Sequence, residues 1–266
     1  MTQPEKSALL YPGFLDLIDV SAFQGKPDFN KVKAAGFAGV IVKVSEGLSS
    51  SDAQALYNLK ASQDAGLETM VYAFARPDQG RAADQVDKLY SAAGATMPHR
   101  VAMDLETAPA GWTAAQKVDF GEQFVEACLK YSPLPPMLYT FPNFSQGMQP
   151  ALSGSTVLAA CPLWIAHYMS TTSPWAPPQG FQPYTPKPFT TWALHQYSGD
   201  NGFGGAGVVG SCDRNLFKGD VACFRQFLGL SQDQSVPVIT QTETAVATSE
   251  ATAGTDVNLD PPADLS

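Results

Sequence analysis

Short β-branched runs alternate with stretches of helical spacing over the first 140 residues. LDLIDV (15–20), FAGVIVKV (37–44), ETMVYAF (68–74), HRVAMDLE (99–106) and PMLYTF (136–141) read as strands. Between them, DAQALYNLKASQDAG (52–66) and GRAADQVDKLYSAAG (80–94) carry helical periodicity and each stops on glycine. TAAQKVDFGEQFVEACLKY (113–131) predicts a long helix with Thr113 at its N-cap. Strands separated by helix-length connections imply β-α-β units and a parallel sheet.

The rhythm changes after Tyr139. Twelve of the 21 prolines fall between Pro133 and Pro188, a density through which helices cannot run. CPLWIAHY (161–168), TTWALHQY (190–197) and VVGSCD (208–213) still read as strands, joined by loops and short turns. The pattern predicts an α/β fold: a TIM-like barrel of about eight strands with degenerate helices in its last third. An open doubly wound sheet would place a glycine-rich phosphate loop after its first strand, and none follows residue 20.

Composition sets the limits of this unit. The chain has 266 residues, 44% of them hydrophobic and 11% aromatic, enough for one large folded domain. The net charge is -9, which argues against non-specific nucleic-acid binding. Six acids (Asp233, Glu243, Glu250, Asp256, Asp260 and Asp264) fall in the last 36 residues, a stretch without a basic or an aromatic side chain. We read residues 231–266 as a disordered acidic tail and 1–230 as the folded barrel domain. Setting the six tail acids aside leaves 19 acidic against 16 basic residues, a net of -3 for the body. No internal repeat occurs. No apolar run approaches the roughly 18 residues that span a bilayer, and the opening lacks the basic-then-apolar order of a secretory leader. The expectation is synthesis in a cytoplasm without membrane insertion. Cys128, Cys161, Cys212 and Cys223 are then expected reduced, although spacing alone permits a Cys212–Cys223 bridge.

The candidate chemistry lies in carboxylates at strand ends. Asp19 closes the first strand, Asp104 and Glu106 the fourth, and Asp213 the last. In a barrel those ends converge on the catalytic face. Residues two apart on a strand point the same way, so Asp104 and Glu106 share a side. A buried carboxylate costs several kcal/mol unless paired, so four at strand ends call for a function. Neighbouring carboxyls at unequal burial titrate apart, giving a protonated acid beside an ionised partner, the equipment of a glycosidase. The bland alternative makes one a loop cap and another a solvated strand end. A hard-cation site is a further reading, but His99, His167 and His195 lack ligand spacing and no C-x-x-C or H-E-x-x-H occurs, so no metal and no cofactor is expected.

These residues fall in a recognisable order. Asp19-Val20-Ser21-Ala22-Phe23-Gln24-Gly25 and Val44-Ser45-Glu46-Gly47 resemble the opening of family 25 glycoside hydrolases, lysozymes of N,O-diacetylmuramidase type. Tyr72-Ala73-Phe74, Asp104-Leu105-Glu106, Pro162 to Tyr168, Gln196-Tyr197-Ser198 and Asp213 to Phe217 follow in sequence, so the resemblance covers about residues 15–228. It implies a flattened (β/α)5(β)3 barrel that hydrolyses the β-1,4 bond between N-acetylmuramic acid and N-acetylglucosamine in peptidoglycan. It further implies Glu106 as general acid/base, with Asp104 orienting and stabilising the reacting N-acetyl group or, in an older view, acting as nucleophile. Asp19 and Asp213 match the remaining acids. The resemblance favours retention. The family's frequent histidine between Tyr72 and Phe74 is here Ala73, and Cys212 stands where an aliphatic residue is common.

Sugars present apolar faces on which aromatic rings stack. Tyr72, Phe74, Tyr139, Trp164, Tyr168 and Gln196 are the candidate substrate contacts, with barrel filling as the competing role. Glu46 reads as a loop cap, and Trp112, Trp175 and Trp192 as core. The partner implied is the peptidoglycan glycan strand. Holin-dependent release of a phage lysis protein, virion association and effector secretion are all compatible settings. A non-catalytic wall-binding or structural barrel is the alternative of a different class; its mark would be loss of Asp104 or Glu106, and both are present.

Overall fold

The computed structural model describes residues 12–94, 100–168, 177, 180–199 and 207–230. The strands are β1 (Phe14–Val20), β2 (Gly39–Glu46), β3 (Ser50–Ser51), β4 (Glu68–Phe74), β5 (Val101–Asp104), β6 (Met137–Thr140), β7 (Leu163–Ala166), β8 (Leu194–Ser198) and β9 (Asp213–Lys218). Eight of them run in the order β1-β9-β8-β7-β6-β5-β4-β2, and pairing of β1 with β2 closes the circle. The two-residue β3 hangs on the end of β2. All barrel pairings are parallel except the two made by β9.

Helices cover the first five strands of the barrel. They are α1 (Phe29–Ala34), α2 (Ala55–Asp64), α3 (Ala82–Ala93), α4 (Ala114–Cys128) and, after β6, the short α5 (Pro142–Gln146), α6 (Ala151–Gly154) and α7 (Thr156–Ala159). Among the described residues no helix lies between β7 and β8 or between β8 and β9. This is the expected arrangement of five covered strands and three bare ones; six prolines fall in the β7–β8 connection, whereas the β8–β9 connection, 199–212, holds six glycines and no proline. Thr113 caps α4 through a capping box with Gln116.

Strand alternation divides the apolar residues between two layers. Leu15, Leu17, Ile41, Met70, Ala102, Met137, Trp164, Leu194 and Phe217 fill the barrel interior. Ile18, Val20, Val40, Val42, Val44, Val71, Val101 and Met103 face out and pack with Leu59, Val86, Leu89 and Phe124 of the helices. Gly39 sits where a Cβ would lie 2.6 Å from the Glu68 carbonyl oxygen, so no larger residue fits between β2 and β4. The final helix α8 (Val221–Phe227) closes the barrel floor: Phe224 and Leu228 join the interior cluster. Arg100 fastens it there, donating to the Phe227 carbonyl at 2.7 Å and to the Pro135 carbonyl at 2.6 Å.

The last strand corrects the sequence reading. VVGSCD (208–213) is not the strand; Gly207 and Gly210 have positive φ and turn the chain there. The strand begins at Asp213 and runs to Lys218, antiparallel to both neighbours. Asp213 therefore opens its strand instead of ending it, yet reversal of direction still places it at the mouth formed by the C-terminal ends of the others. All four cysteines are free thiols, so the Cys212–Cys223 bridge that spacing allowed is absent. The acidic tail, His99 and Trp175 lie outside the described residues. No helix among the described residues is long and apolar enough to cross a membrane.

One buried group outside the barrel gives this fold a pH signature. His195 faces away from the interior, with its Nε2 2.8 Å from the His167 carbonyl oxygen and Phe181 and Trp192 against its ring. Burial pushes it down to about 4, from an ordinary 6.5. The unfolded chain then binds more protons than the folded one between those values. Stability is fully present above about pH 6.5 and falls as pH drops towards 4. Urea unfolding at pH 7 and pH 4.5 should show a larger loss for the wild type than for His195→Gln, which keeps an N–H donor. Equal losses would contradict the assignment.

Candidate active site

The mouth is built by the strand ends that the sequence pointed to. Asp19 on β1 and Asp213 on β9 are register partners, two like charges directly opposite each other. Such a pair repels unless something intervenes. Gln196 on β8 does so: its Nε2 donates to Asp19 Oδ2 at 3.0 Å and to Asp213 Oδ2 at 3.3 Å. Its Oε1 accepts from the hydroxyls of Tyr139 at 2.8 Å and Tyr168 at 2.6 Å. Carboxylates only accept, so the opposite amide orientation would set oxygen against oxygen twice. Asn215, two residues beyond Asp213 on the same face of β9, adds a second donor to Asp19 Oδ2 at 2.8 Å and accepts from Trp164 Nε1 at 2.8 Å.

Asp104 ends β5, in register with Phe74 on one side and Tyr139 on the other. It is buried, and Glu106 two residues on is half-buried. The ladder continues past the strand end through the Leu105 N–H, which donates to the Tyr139 carbonyl at 3.0 Å. Met103 and Leu105 pack in the outer layer and Ala102 in the interior, so the alternation expected of this strand is kept. Tyr139 shows that the acids meet. Burial pushes its phenol well above 10, and the charges of Tyr168, Glu106, Asp104 and Asp213 push the same way. The phenol stays protonated and remains a donor.

The aromatic candidates divide by depth. Tyr72 is half-buried at the mouth and meets the edge of Trp164, with ring centroids 6.1 Å apart. Tyr139, Tyr168 and Gln196 line the site within 6% exposure or less. Trp164 is 1% exposed, with Tyr139 edge-on at 4.7 Å, so it lies beneath the site as a support and not on a cleft wall, a correction to its expected place. Phe74 is also buried, and the Lys43 ammonium sits 5.0 Å from its ring. Trp192 stacks on Phe14 outside the barrel, and Trp112 packs against the outer layer.

Sequence reasoning missed two features. Asn215 was hidden because the strand was read as ending at Asp213; a strand starting there puts residues 213 and 215 on one face. The second is a chain of charges beside the mouth. Buried Lys43 donates to Glu46 Oε2 at 3.0 Å, and Arg76 holds Glu46 Oε1 at 2.7 Å and pairs with Asp78 at 3.0 Å. Burial pushes the Glu46 carboxyl up, but Lys43 and Arg76 outweigh it and hold it below the usual carboxylate range. Glu46 is thus a partner for two cations, not a loop cap. Among the described residues no group of three or more His, Cys, Asp or Glu is arranged to hold a metal ion. Four carboxyl groups in a partly buried mouth, two of them held by amides, are equipped for proton transfer to a bound substrate.

The comparison with known proteins decides the family. The family model of glycosyl hydrolases family 25 matches residues 18–206, which include Asp19, Asp104, Glu106 and Gln196 and end before Asp213. The chain belongs to glycosyl hydrolases family 25. This family member is a glycoside hydrolase. It is 28% identical over 216 residues to Lysozyme M1 of Streptomyces globisporus, covering 77% of this chain and 68% of that one. Its fold matches the bacterial lysozyme of Streptomyces coelicolor with a TM-score of 0.69 at 26% identity, over 83% of this chain and 98% of the other. The catalytic domain of endolysin ply40 from bacteriophage P40 of Listeria monocytogenes shares the fold at a TM-score of 0.61 and 16% identity, over 81% and 98% of the two chains.

The hydrogen bonds at Asp19 give a direct test. Asn215→Leu removes a charge-assisted donor and strands the indole N–H of Trp164. Unfolding free energy should fall by about 2–4 kcal/mol. Denaturant titration at pH 7 checks this, and a change below about 0.5 kcal/mol would show that Asn215 does not support the site.

Proposed function

We propose that this glycoside hydrolase is a muramidase, cleaving the β-1,4 bond between N-acetylmuramic acid and N-acetylglucosamine in peptidoglycan. The observation that carries the reading is the meeting of Asp19, Asp104, Glu106 and Asp213 around Tyr139 and Gln196 at one mouth. The family and the lysozyme relative support the substrate class. The roles divide by environment. Asp19 and Asp213 are held by the amides of Gln196 and Asn215 and shape the anionic floor. Glu106, half-open to solvent, is the general acid that gives its proton to the leaving oxygen and later takes one from water. Asp104, buried and fixed in the β4–β5–β6 ladder, orients the substrate's N-acetyl group and stabilises the positive charge that develops as its oxygen attacks the anomeric carbon. Tyr72, Tyr139 and Tyr168 bound the sugar site. The outcome is retention.

The setting proposed with this activity is a phage lysis or virion-associated wall hydrolase, released with a holin or carried on the particle. The support for it is a fold held in common with an endolysin catalytic domain.

Digestion of purified peptidoglycan, followed by analysis of the new reducing ends, tests the activity. N-acetylmuramic acid is expected there; N-acetylglucosamine, or free peptides alone, would overturn the assignment. Glu106→Gln keeps the side chain's shape and should lower kcat at least about a hundredfold, the usual worth of a positioned acid. Asp104→Asn should lower kcat on the same scale while melting at a similar temperature. An Asp104→Asn enzyme with wild-type kcat would remove Asp104 from the mechanism.

A further inference from the structure

Seven large apolar side chains are exposed among the described residues, and five of them stand on one sector of the mouth rim. Phe23 is in the turn after β1, Leu48, Leu56 and Tyr57 are in the segment that leaves β2 and enters α2, and Val209 is in the approach to β9. Since β9, β1 and β2 are consecutive around the barrel, these three segments form one continuous arc beside Asp19 and Asp213. Single exposed apolar residues need no explanation, but five gathered on one edge of a candidate cleft do.

The arc is fastened and not loose. Ser21 caps its turn in a capping box with Gln24, and Gln24 Nε2 donates to the Ser211 carbonyl at 3.2 Å. The Ala22 N–H donates to Asp52 Oδ2 at 2.7 Å, and the Asp28 N–H to the Gly207 carbonyl at 2.8 Å. Lys26 lies over the Tyr57 ring at 5.2 Å. These bonds tie all three segments together while Phe23 is held outward with 68% of its surface exposed. The backbone that carries Phe23 is fixed while its ring stays in water, where it adds little to the fold. It suits a ligand that offers flat apolar faces.

We propose that this arc is a second glycan-binding face, on which sugar rings of the uncleaved strand, beyond the pair at the scissile bond, stack against Phe23 and Tyr57. The inference rests on the muramidase reading, because continuity with that cleft is what brings a glycan to the arc. An aromatic platform fits pyranose rings, whose axial C–H faces are apolar while their hydroxyls remain in water. Such a face would raise affinity for the polymer without taking part in bond cleavage.

The test is cosedimentation with purified peptidoglycan sacculi, in a Glu106→Gln background so that the polymer stays intact. Adding Phe23→Ala and Tyr57→Ala should weaken binding about tenfold. Phe23→Tyr alone, which keeps the ring, should bind within about twofold of the parent. Equal affinity of parent and alanine variants would overturn the proposal. So would an equal loss in Phe23→Tyr, or a loss that accompanies a lowered melting temperature, since either would mark a structural role. The parent reading is judged separately. If the wild-type protein releases no N-acetylmuramic acid ends, the reading falls together with the arc's role; if it releases them and the affinities are equal, only the arc's role falls.

Discussion

Two carboxylates placed face to face on neighbouring strands are the constraint from which the site follows. Asp19 and Asp213 occupy one register position of β1 and β9, the first buried and the second half-buried. Their repulsion, strengthened by the low local dielectric, has to be offset by donors at the same level of the barrel. Gln196 and Asn215 supply them. Each amide then needs partners for its own oxygen, which come from Tyr139, Tyr168 and the indole of Trp164. The aromatic interior is therefore the outer layer of a hydrogen-bonded shell as well as apolar filling. Removing Gln196 takes an acceptor from two phenols and a donor from each carboxylate.

The antiparallel β9 makes this geometry available. Seven strands bring C-terminal ends to the mouth, and a parallel eighth would have needed a crossover connection, usually a helix, within the glycine-rich residues 199–212. An antiparallel β9 needs no such helix and presents its first residues to the mouth, which puts both Asp213 and Asn215 beside Asp19. It also delivers the chain to the opposite end, where α8 inserts Phe224 and Leu228 as the floor. One change of strand direction thus sets the acid pair at the top and closes the core at the bottom.

Much of this was legible before any coordinates. The short apolar runs located eight strands, seven at nearly their observed positions, because those strands are buried on both faces and bounded by turn residues or helical stretches. Proline density foretold the shortened helices after β6, held to four or five residues each, and the loop after β7. The misplacement of the last strand has a clear cause: Val208 and Val209 carry β propensity, while Asp213, Arg214 and Asn215 are polar residues that face a site instead of a core. Side-chain depth was also out of reach. Trp164 and Tyr72 have equal chemical claims to a sugar in the sequence, and only packing sends the first beneath the site and leaves the second at its edge. The Lys43–Glu46–Arg76 chain joins β2 to the end of β4, a contact that no local pattern announces.

The division of labour among the acids is the central claim. In the proposed reading Asp19 and Asp213 are absorbed in the amide shell, while Glu106 and Asp104 act on the substrate, with the N-acetyl group of the sugar as the attacking nucleophile. Attack from within the substrate and then by water inverts the anomeric centre twice. Proton NMR of the first product released from a muropeptide oligosaccharide, recorded before mutarotation, reads the outcome directly. The account predicts the β anomer. Initial release of the α anomer would mean a single displacement by water and would contradict it.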